Sequence, residues 1–371
     1  MSRTREKRVG EQLHVNERPV KFTYWPILRR GRGRATTQTQ VFTNDPWGLI
    51  RASLNEIEND QIRTDAEYYF EQSVDFQKAY NNSTSIASKP LLLYYCMMNL
   101  VKTLLLKRGF KPSVDEAKHG LQESNSDLSF ENHKLVYYRS SGTTSNLFDD
   151  FYQFLTNDRL KNRAIIKLSD IVYQILNGHR IMCSSTRSAE KFISLKDITL
   201  LNNDDNELWM NFKVEKHDLR RLRVSVKDFL KRTDLKDNFS HVSSDGIYYE
   251  FELDTPITHG GWPSDYLEQL SNKLIPPTWV VLSSSKPYRK YYAYMANKSD
   301  NELVLPQLAS IYAFSFYLSS ITRYRPSQFK KIMKSNYSTF VSEFINNQLV
   351  QFVYLVASEF AKRDVVKPSI V

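Results

Sequence analysis

The apolar stretch PLLLYYCMMNLVKTLLL, residues 90–106, decides the fold of this chain. A helix built from it is apolar on nearly every side, so we expect a central helix that neighbouring elements cover on most sides. Pro90 stands where such a helix begins, and Gly109 stands just beyond its end. The stretch is shorter than the roughly 20 apolar residues that cross a bilayer, and it contains Asn99 and Lys102, so no membrane association is predicted.

Amphipathic patterns on both sides of this stretch predict further helices. Asp45-Pro46 is an N-cap followed by a proline at the first helical position, and apolar residues then recur every three or four positions. Other helices are predicted over Arg63–Tyr80, Leu147–Leu155, Leu160–Leu176, Pro306–Tyr324, Phe329–Lys334 and Thr339–Lys362.

Between the two helical regions the period of the apolar residues changes to two. Leu208, Met210, Phe212 and Val214 alternate with polar or amphipathic residues, as in a half-buried strand. Further strands are predicted over Phe192–Leu201, Gly246–Leu253 and Trp279–Ser283. The order of helices, a small antiparallel sheet and again helices predicts an α+β fold that is mainly helical.

This order divides the chain into four predicted segments. Residues 1–40 form a basic arm, and residues 41–180 form an amino-terminal helical domain. Residues 181–300 form the small antiparallel sheet region, and residues 301–371 form carboxy-terminal helices that pack on the rest.

Positive charge is concentrated in the arm. Residues 1–40 contain ten Lys and Arg and three Glu, a net charge of +7, so only +3 of the total of +10 belongs to the other residues. Arginines alternate with glycine after an aromatic stretch, which combines phosphate-pairing groups with stacking faces. The predicted nucleic-acid-binding residues are Lys21, Trp25, Arg29, Arg30, Arg32 and Arg34. The partner would be RNA or DNA; the alternatives are a solvated tail and an arm that pairs with an acidic partner protein.

His119 is the candidate for chemistry because a histidine pKa lies near neutrality. It follows the central helix and could act as a general base or contact RNA, whereas the structural alternative is a histidine that bridges a loop. The cations of Arg323-Tyr324-Arg325-Pro326 follow an aromatic helix, and favourable interaction with the helix dipole also explains them. No phosphate-binding loop, nucleophile elbow or close histidine pair is present in the sequence, so neither a cofactor nor a metal is predicted. With two cysteines and no secretory signal, a cytoplasmic location is expected.

Two stretches resemble the bacterial YaaC-like protein family. The first is KPLLLYY at residues 89–95, which continues through Asn99-Leu100-Val101-Lys102 to His119-Gly120-Leu121. The second is Arg323-Tyr324-Arg325-Pro326 with the following Phe329. The resemblance covers residues 45–361, excludes the arginine-rich arm and implies no particular activity.

The region 94–121 also resembles the start of HEPN-type helical domains, several of which are RNases. The resemblance implies a helical bundle and a catalytic site using His119 with Asn99, Lys102 or Arg323. The Arg-x(4–6)-His motif of those RNases is matched here only by Arg8–His14, in the arm and not on a later helix.

Three functions follow from these patterns. The leading hypothesis is a non-enzymatic protein associated with nucleic acid, within a bacterial antiviral defence or stress system. The first alternative is a HEPN-like RNase that uses His119, and the second is a scaffold subunit whose aromatic helices bury against a partner protein. The patterns leave open whether the chain is an enzyme, and they do not indicate an oligomeric state.

Overall fold

The computed structural model describes residues 5–28, 36–37, 40–110, 116–124, 129–142, 144–297 and 302–368. The chain forms two compact units, which we call the sheet unit and the helical unit. The sheet unit comprises residues 1–43, 191–302 and 362–371, and the helical unit comprises residues 44–190 and 303–361. The four predicted segments follow the order of the chain, whereas both units combine early and late sequence.

Within the described residues the helices are α1 Pro46–Leu54, α2 Asp60–Asn82, α3 Lys89–Lys107, α4 Leu147–Thr156, α5 Leu168–Gln174, α6 His179–Thr186, α7 Lys216–Arg221, α8 Val226–Arg232, α9 Leu267–Ser271, α10 Gln307–Tyr324, α11 Pro326–Ile332 and α12 Ser338–Ala361. Helices α7–α9 belong to the sheet unit, and the others belong to the helical unit. No helix in the described part of the chain is both long enough and apolar enough to cross a membrane.

The strands of the described residues are β1 Glu11–Gln12, β2 His14–Val15, β3 Arg18–Pro19, β4 Ile27–Leu28, β5 Thr36–Thr37, β6 Val41–Phe42, β7 Leu121–Glu123, β8 Lys134–Tyr137, β9 Ile165–Lys167, β10 Phe192–Asn202, β11 Glu207–Glu215, β12 Phe239–Ser244, β13 Tyr248–Leu253, β14 Ile257–Thr258, β15 Thr278–Leu282, β16 Arg289–Tyr294 and β17 Val365–Val366. Helices and an antiparallel sheet together confirm the α+β class.

Helix α3 is the core of the helical unit, as its apolar pattern predicts. Every residue from Asn99 to Leu106 is buried, and the helix contacts α2, α4, α10 and α12. It ends before Gly109, whose φ of +74° lies in the left-handed region that favours glycine. Helix α10 is equally enclosed, since every residue from Leu308 to Ile321 is buried. These two apolar helices contact each other and position the residues described below.

One predicted helix is wrong. The sequence between residues 160 and 176 forms β9 followed by the short helix α5, and β9 pairs with β8 in a three-stranded sheet. In β9 the side chain of Ile166 is buried while Ile165 and Lys167 are exposed. Burial therefore alternates with a period of two, but Ile165 and Ile166 are both apolar, so the sequence of this short strand does not show the alternation.

The sheet unit is built on an eight-stranded antiparallel sheet, which is larger than the small sheet predicted. Its strand order is β12-β13-β11-β10-β16-β15, with β1 paired to β10 and β14 paired to β11. Strand β11 is buried on both faces from Leu208 to Phe212, not on one face as its alternation predicts. Amino-terminal residues cover the second face. Gly10 packs so closely against Trp209 that an added Cβ would lie 2.2 Å from its ring.

The amino-terminal segment, residues 5–28, is therefore part of the sheet unit. The amide of Leu13 donates to the carbonyl of Leu200 at 2.9 Å, and the side chains of Leu13, Val20 and Phe22 are buried. Residues 20–25 form no strand, and Lys21 alone forms an isolated bridge to Thr199. The apolar residues among the basic ones explain why this part of the arm packs on the sheet.

Candidate functional site

The helical unit contains a pocket of about 340 Å³, which we call the His119 pocket. Its lining residues come from the chain after α3, from β7, and from the end of α10 with Arg325 beyond it; they are His119, Leu121, Gln122, Glu123, Phe316, Ser320, Arg323, Tyr324 and Arg325.

A tight backbone contact positions His119. The amide of Phe148, at the start of α4, donates to the carbonyl of His119 at 3.1 Å. Gly120 has a φ of +77°, and an added Cβ there would lie 3.1 Å from both Asn146 Cβ and the Phe148 amide nitrogen. Because a side chain here would be crowded and its backbone strained at this φ, glycine is strongly favoured directly after the histidine.

Two tyrosines connect the imidazole of His119 to the core. The Tyr94 hydroxyl lies 2.6 Å from Nδ1 of His119, and the Tyr312 hydroxyl lies 3.3 Å from that of Tyr94. Burial keeps the pKa of Tyr94 well above its usual value, so its phenol stays protonated and is able to donate to Nδ1. In the tautomer that accepts this hydrogen bond, the proton of the neutral imidazole is on Nε2, which can serve as a hydrogen-bond donor to a ligand.

His119 is neutral at physiological pH. Burial, followed by the charges of Arg323 and Lys102, lowers its pKa to about 4. All three effects disfavour the imidazolium ion. The same two cations favour an anion near the ring, so this point in the helical unit attracts negative charge.

Arg323 is held in place by aromatic groups. Its Nη1 donates to the Tyr95 hydroxyl at 2.9 Å, and its guanidinium carbon lies 5.7 Å from the Tyr95 ring centre and 4.9 Å from that of Tyr324. No carboxylate forms an ion pair with Arg323 within the part of the chain that the structure describes. A guanidinium with this support retains its charge and its planar fork of donors for a ligand.

The four predicted catalytic residues have different positions. His119 and Arg323 line one pocket, and Lys102 acts on His119 through its charge. The Lys102 side chain is buried, with its ammonium 4.5 Å from the Tyr69 ring centre. Asn99 does not line the pocket, and its Nδ2 donates to Gln72 on α2 at 3.2 Å. The structure therefore brings together two of the four and places a third within electrostatic range.

The pocket also contains residues whose role was not predicted from the sequence. Glu123 and Arg325 form an ion pair at 3.5 Å, and Tyr324 is exposed at 71% of its surface. Burial raises the pKa of Glu123, against the lowering effects of the Arg325 charge and a hydrogen bond from Ser320. The only sequence signal was the polar pair in Leu121-Gln122-Glu123, and a three-residue strand is too short to show alternation.

The predicted nucleic-acid-binding residues of the arm are only partly described. Arg29, Arg30, Arg32 and Arg34 lie outside the described residues. Lys21 is exposed on the sheet unit, whereas Trp25 is half-buried, with its ring 5.9 Å from the Tyr24 ring and 5.6 Å from the Arg289 guanidinium.

Other basic residues of the arm bind acidic side chains of strand β13 and the residue after it. Arg5 and Arg8 both pair with the fully buried Glu252, the latter at 2.9 Å, and Lys7 pairs with Glu250 at 2.8 Å. Glu250 and Glu252 share one face of β13 because their spacing is two. These three basic charges are therefore used within the protein, which reduces the positive charge that the arm can offer to an anion.

The described residues contain no group of three or more His, Cys, Asp or Glu side chains that could hold a metal ion.

The model of one protein family, YaaC-like Protein, matches residues 34–360. The match confirms the resemblance seen in residues 89–121 and 323–329, and it excludes most of the basic arm. No curated protein and no solved structure matches the chain. The HEPN analogy thus receives no support from these comparisons.

Proposed function

This chain belongs to the YaaC-like family, and from that premise we propose that it is a non-enzymatic protein that binds single-stranded nucleic acid at the His119 pocket. Arg323 would pair with a backbone phosphate, and the Nε2 proton of His119 would donate to the same group. The observation that carries the proposal is that His119 and Arg323 line one pocket, with the charge of Lys102 acting on His119.

The proposed phosphate contact depends on the electrostatic field at His119. Arg323 and Lys102 both lower the pKa of this histidine, after the larger effect of burial, so both act on the same small volume. A group that destabilises a cation there stabilises an anion by the same interaction. The aromatic support of Arg323 reduces the entropy lost on binding because the guanidinium is already oriented.

The proposed preference for a single strand over a duplex depends on Tyr324. Its ring is 71% exposed beside the pocket and lies close to Arg323, the residue that would hold the phosphate. An unpaired base can stack on such a ring, whereas a base inside a duplex is already stacked on its neighbours. The pocket volume of about 340 Å³ is in the range of pockets for a single small ligand, so it would take one nucleotide unit of the strand.

The arginines between residues 29 and 34 would add phosphate contacts outside the pocket. Each phosphate that they neutralise would release counterions, which makes binding weaken as salt rises. By analogy, the protein would act in a bacterial antiviral defence or stress system.

Binding of a labelled ten-residue oligouridylate, followed by fluorescence anisotropy, tests the proposal. We expect Arg323→Gln to weaken binding at least about tenfold, because it removes a charge-assisted contact. Arg187→Gln is the matched control, since Arg187 is exposed in the same unit and does not line the pocket. Equal binding by both variants, or no binding by the natural protein at about 50 mM salt, would refute the proposal.

An RNase that uses His119 is the second candidate, favoured by the presence of His119 and Arg323 in one pocket. A general base works best with a pKa near the working pH, and the pKa of His119 is about 4. We therefore expect no RNA cleavage at neutral pH above the level of a His119→Ala variant. Cleavage by the natural protein that the variant lacks would establish the enzyme instead.

A further inference from the structure

The carboxylate of Glu123 has one oxygen without a hydrogen-bond donor. Its side chain is only 9% exposed, and Oε2 lies 3.5 Å from Nη2 of Arg325. Oε1 is buried and has no hydrogen-bond partner among the residues that the structure describes. A buried carboxylate oxygen in this state is costly, so a rotation of the Glu123 carboxylate that brings Oε1 to a donor on a bound molecule would be favourable.

The position of Glu123 limits which donor can reach it. Glu123 lines the same pocket as Arg323, Ser320 and Phe316, so a ligand held at Arg323 by its phosphate places its adjoining sugar in this pocket. An ionised carboxylate only accepts hydrogen bonds, and it would repel a second phosphate. The sugar hydroxyl is the donor closest to a backbone phosphate in every ribonucleotide, whatever its base.

We infer that Glu123 accepts a hydrogen bond from the ribose 2′-hydroxyl of the bound nucleotide, so the His119 pocket selects RNA over DNA. This inference rests on the proposed function, and it adds the class of nucleic acid. The 2′-hydroxyl is the group that distinguishes the two polymers at a given site. Arg325 pairs with Oε2 of this carboxylate at 3.5 Å, which leaves Oε1 for the hydroxyl.

Three oligonucleotides that differ only in the 2′ substituent of their sugars test the inference on the natural protein. They are ten-residue uridylate strands with 2′-hydroxyl, 2′-hydrogen and 2′-fluoro sugars. The fluoro sugar keeps the ribose conformation but has no donor. We expect the hydroxyl strand to bind about tenfold more tightly than either of the others, the effect of one hydrogen bond to a charged group.

Glu123→Gln should reduce this preference to about threefold or less, because the amide is a weaker acceptor than the carboxylate. Glu58→Gln is the matched control, since Glu58 is exposed and does not line the pocket. Equal binding of the hydroxyl and fluoro strands, or an unchanged preference in Glu123→Gln, would overturn the inference while leaving the proposed function intact. Absence of binding by all three strands would overturn both.

Discussion

Replacement of Arg323 by glutamine should raise the pKa of His119 without restoring its usual value. Burial is the largest cause of the fall to about 4, and the Arg323 charge is the second. Removal of the charge leaves the imidazole enclosed by Tyr94 and Phe316, so the desolvation effect remains.

The order of these causes sets an upper limit on the rise in the pKa of His119. The usual pKa of histidine is 6.5, and less than half of the fall to about 4 can come from the second-ranked cause. We therefore expect the pKa in Arg323→Gln to rise to no more than about 5. One pKa unit corresponds to about 1.4 kcal/mol, so the interaction of Arg323 with the imidazolium is at most about 1.7 kcal/mol.

Nuclear magnetic resonance of labelled histidine, from neutral pH down to about pH 3.5, measures this directly. His119→Gln identifies the signal, and Lys330→Gln is the control for an exposed charge in the same unit that should leave the pKa unchanged. A return to about 6.5 in Arg323→Gln would show that burial is not the main cause. No change would show that Arg323 is not close enough to act on the ring, and the argument for an anion site would then fail.

The same pKa makes stability depend on pH. As pH falls below 6.5 the unfolded chain protonates this histidine, whereas the folded protein stays neutral until about pH 4. The unfolded state then binds more protons, so this group lowers the free energy of unfolding, by up to about 3 kcal/mol at pH 4 and not at all at neutral pH. Urea unfolding of the natural protein and of His119→Gln should diverge by this amount between neutral and acid pH.

Three further predictions concern the two units. Leu104→Ala should destabilise the helical unit by about 2–5 kcal/mol in urea unfolding, because Leu104 is fully buried in α3; exposed Val350→Ala should have little effect. Glu252→Gln should cost about 2–3 kcal/mol and make residues 5–28 sensitive to protease, since a buried carboxylate that binds two arginines loses its charge; an unchanged digestion pattern would contradict this. Replacement of the four arginines between residues 29 and 34 by glutamine should reduce the salt dependence of oligouridylate binding, and an equal salt slope would exclude these residues from phosphate contact.

Much of the helical unit could be predicted from the sequence because its signals are local. Helix α3 and helix α10 are apolar on all sides, and a helix with no polar face has to be covered by others. The N-cap at Asp45 also worked as predicted, since its carboxylate accepts from the amide of Gly48 at 2.8 Å. The family resemblance arises from the same stretches, which the family model confirms.

Whether the basic amino-terminal residues are paired within the protein depends on the tertiary structure. Charge count alone treats Arg5, Lys7 and Arg8 as available to a polyanion, yet their partners Glu250 and Glu252 lie more than 240 positions later in the chain. Only the folding of β13 beside β11 places those carboxylates on one face and covers them. A count of charges contains no information on such distant pairing.

By itself, then, the sequence determined the fold class and the central helices, because helical periodicity and capping depend on neighbours within a few residues. Only the tertiary structure could decide the pocket, since Glu123 and Arg323 are about 200 positions apart and line one pocket because β7 contacts α10. Local patterns record which faces of an element are apolar, whereas a binding site depends on which faces finally meet.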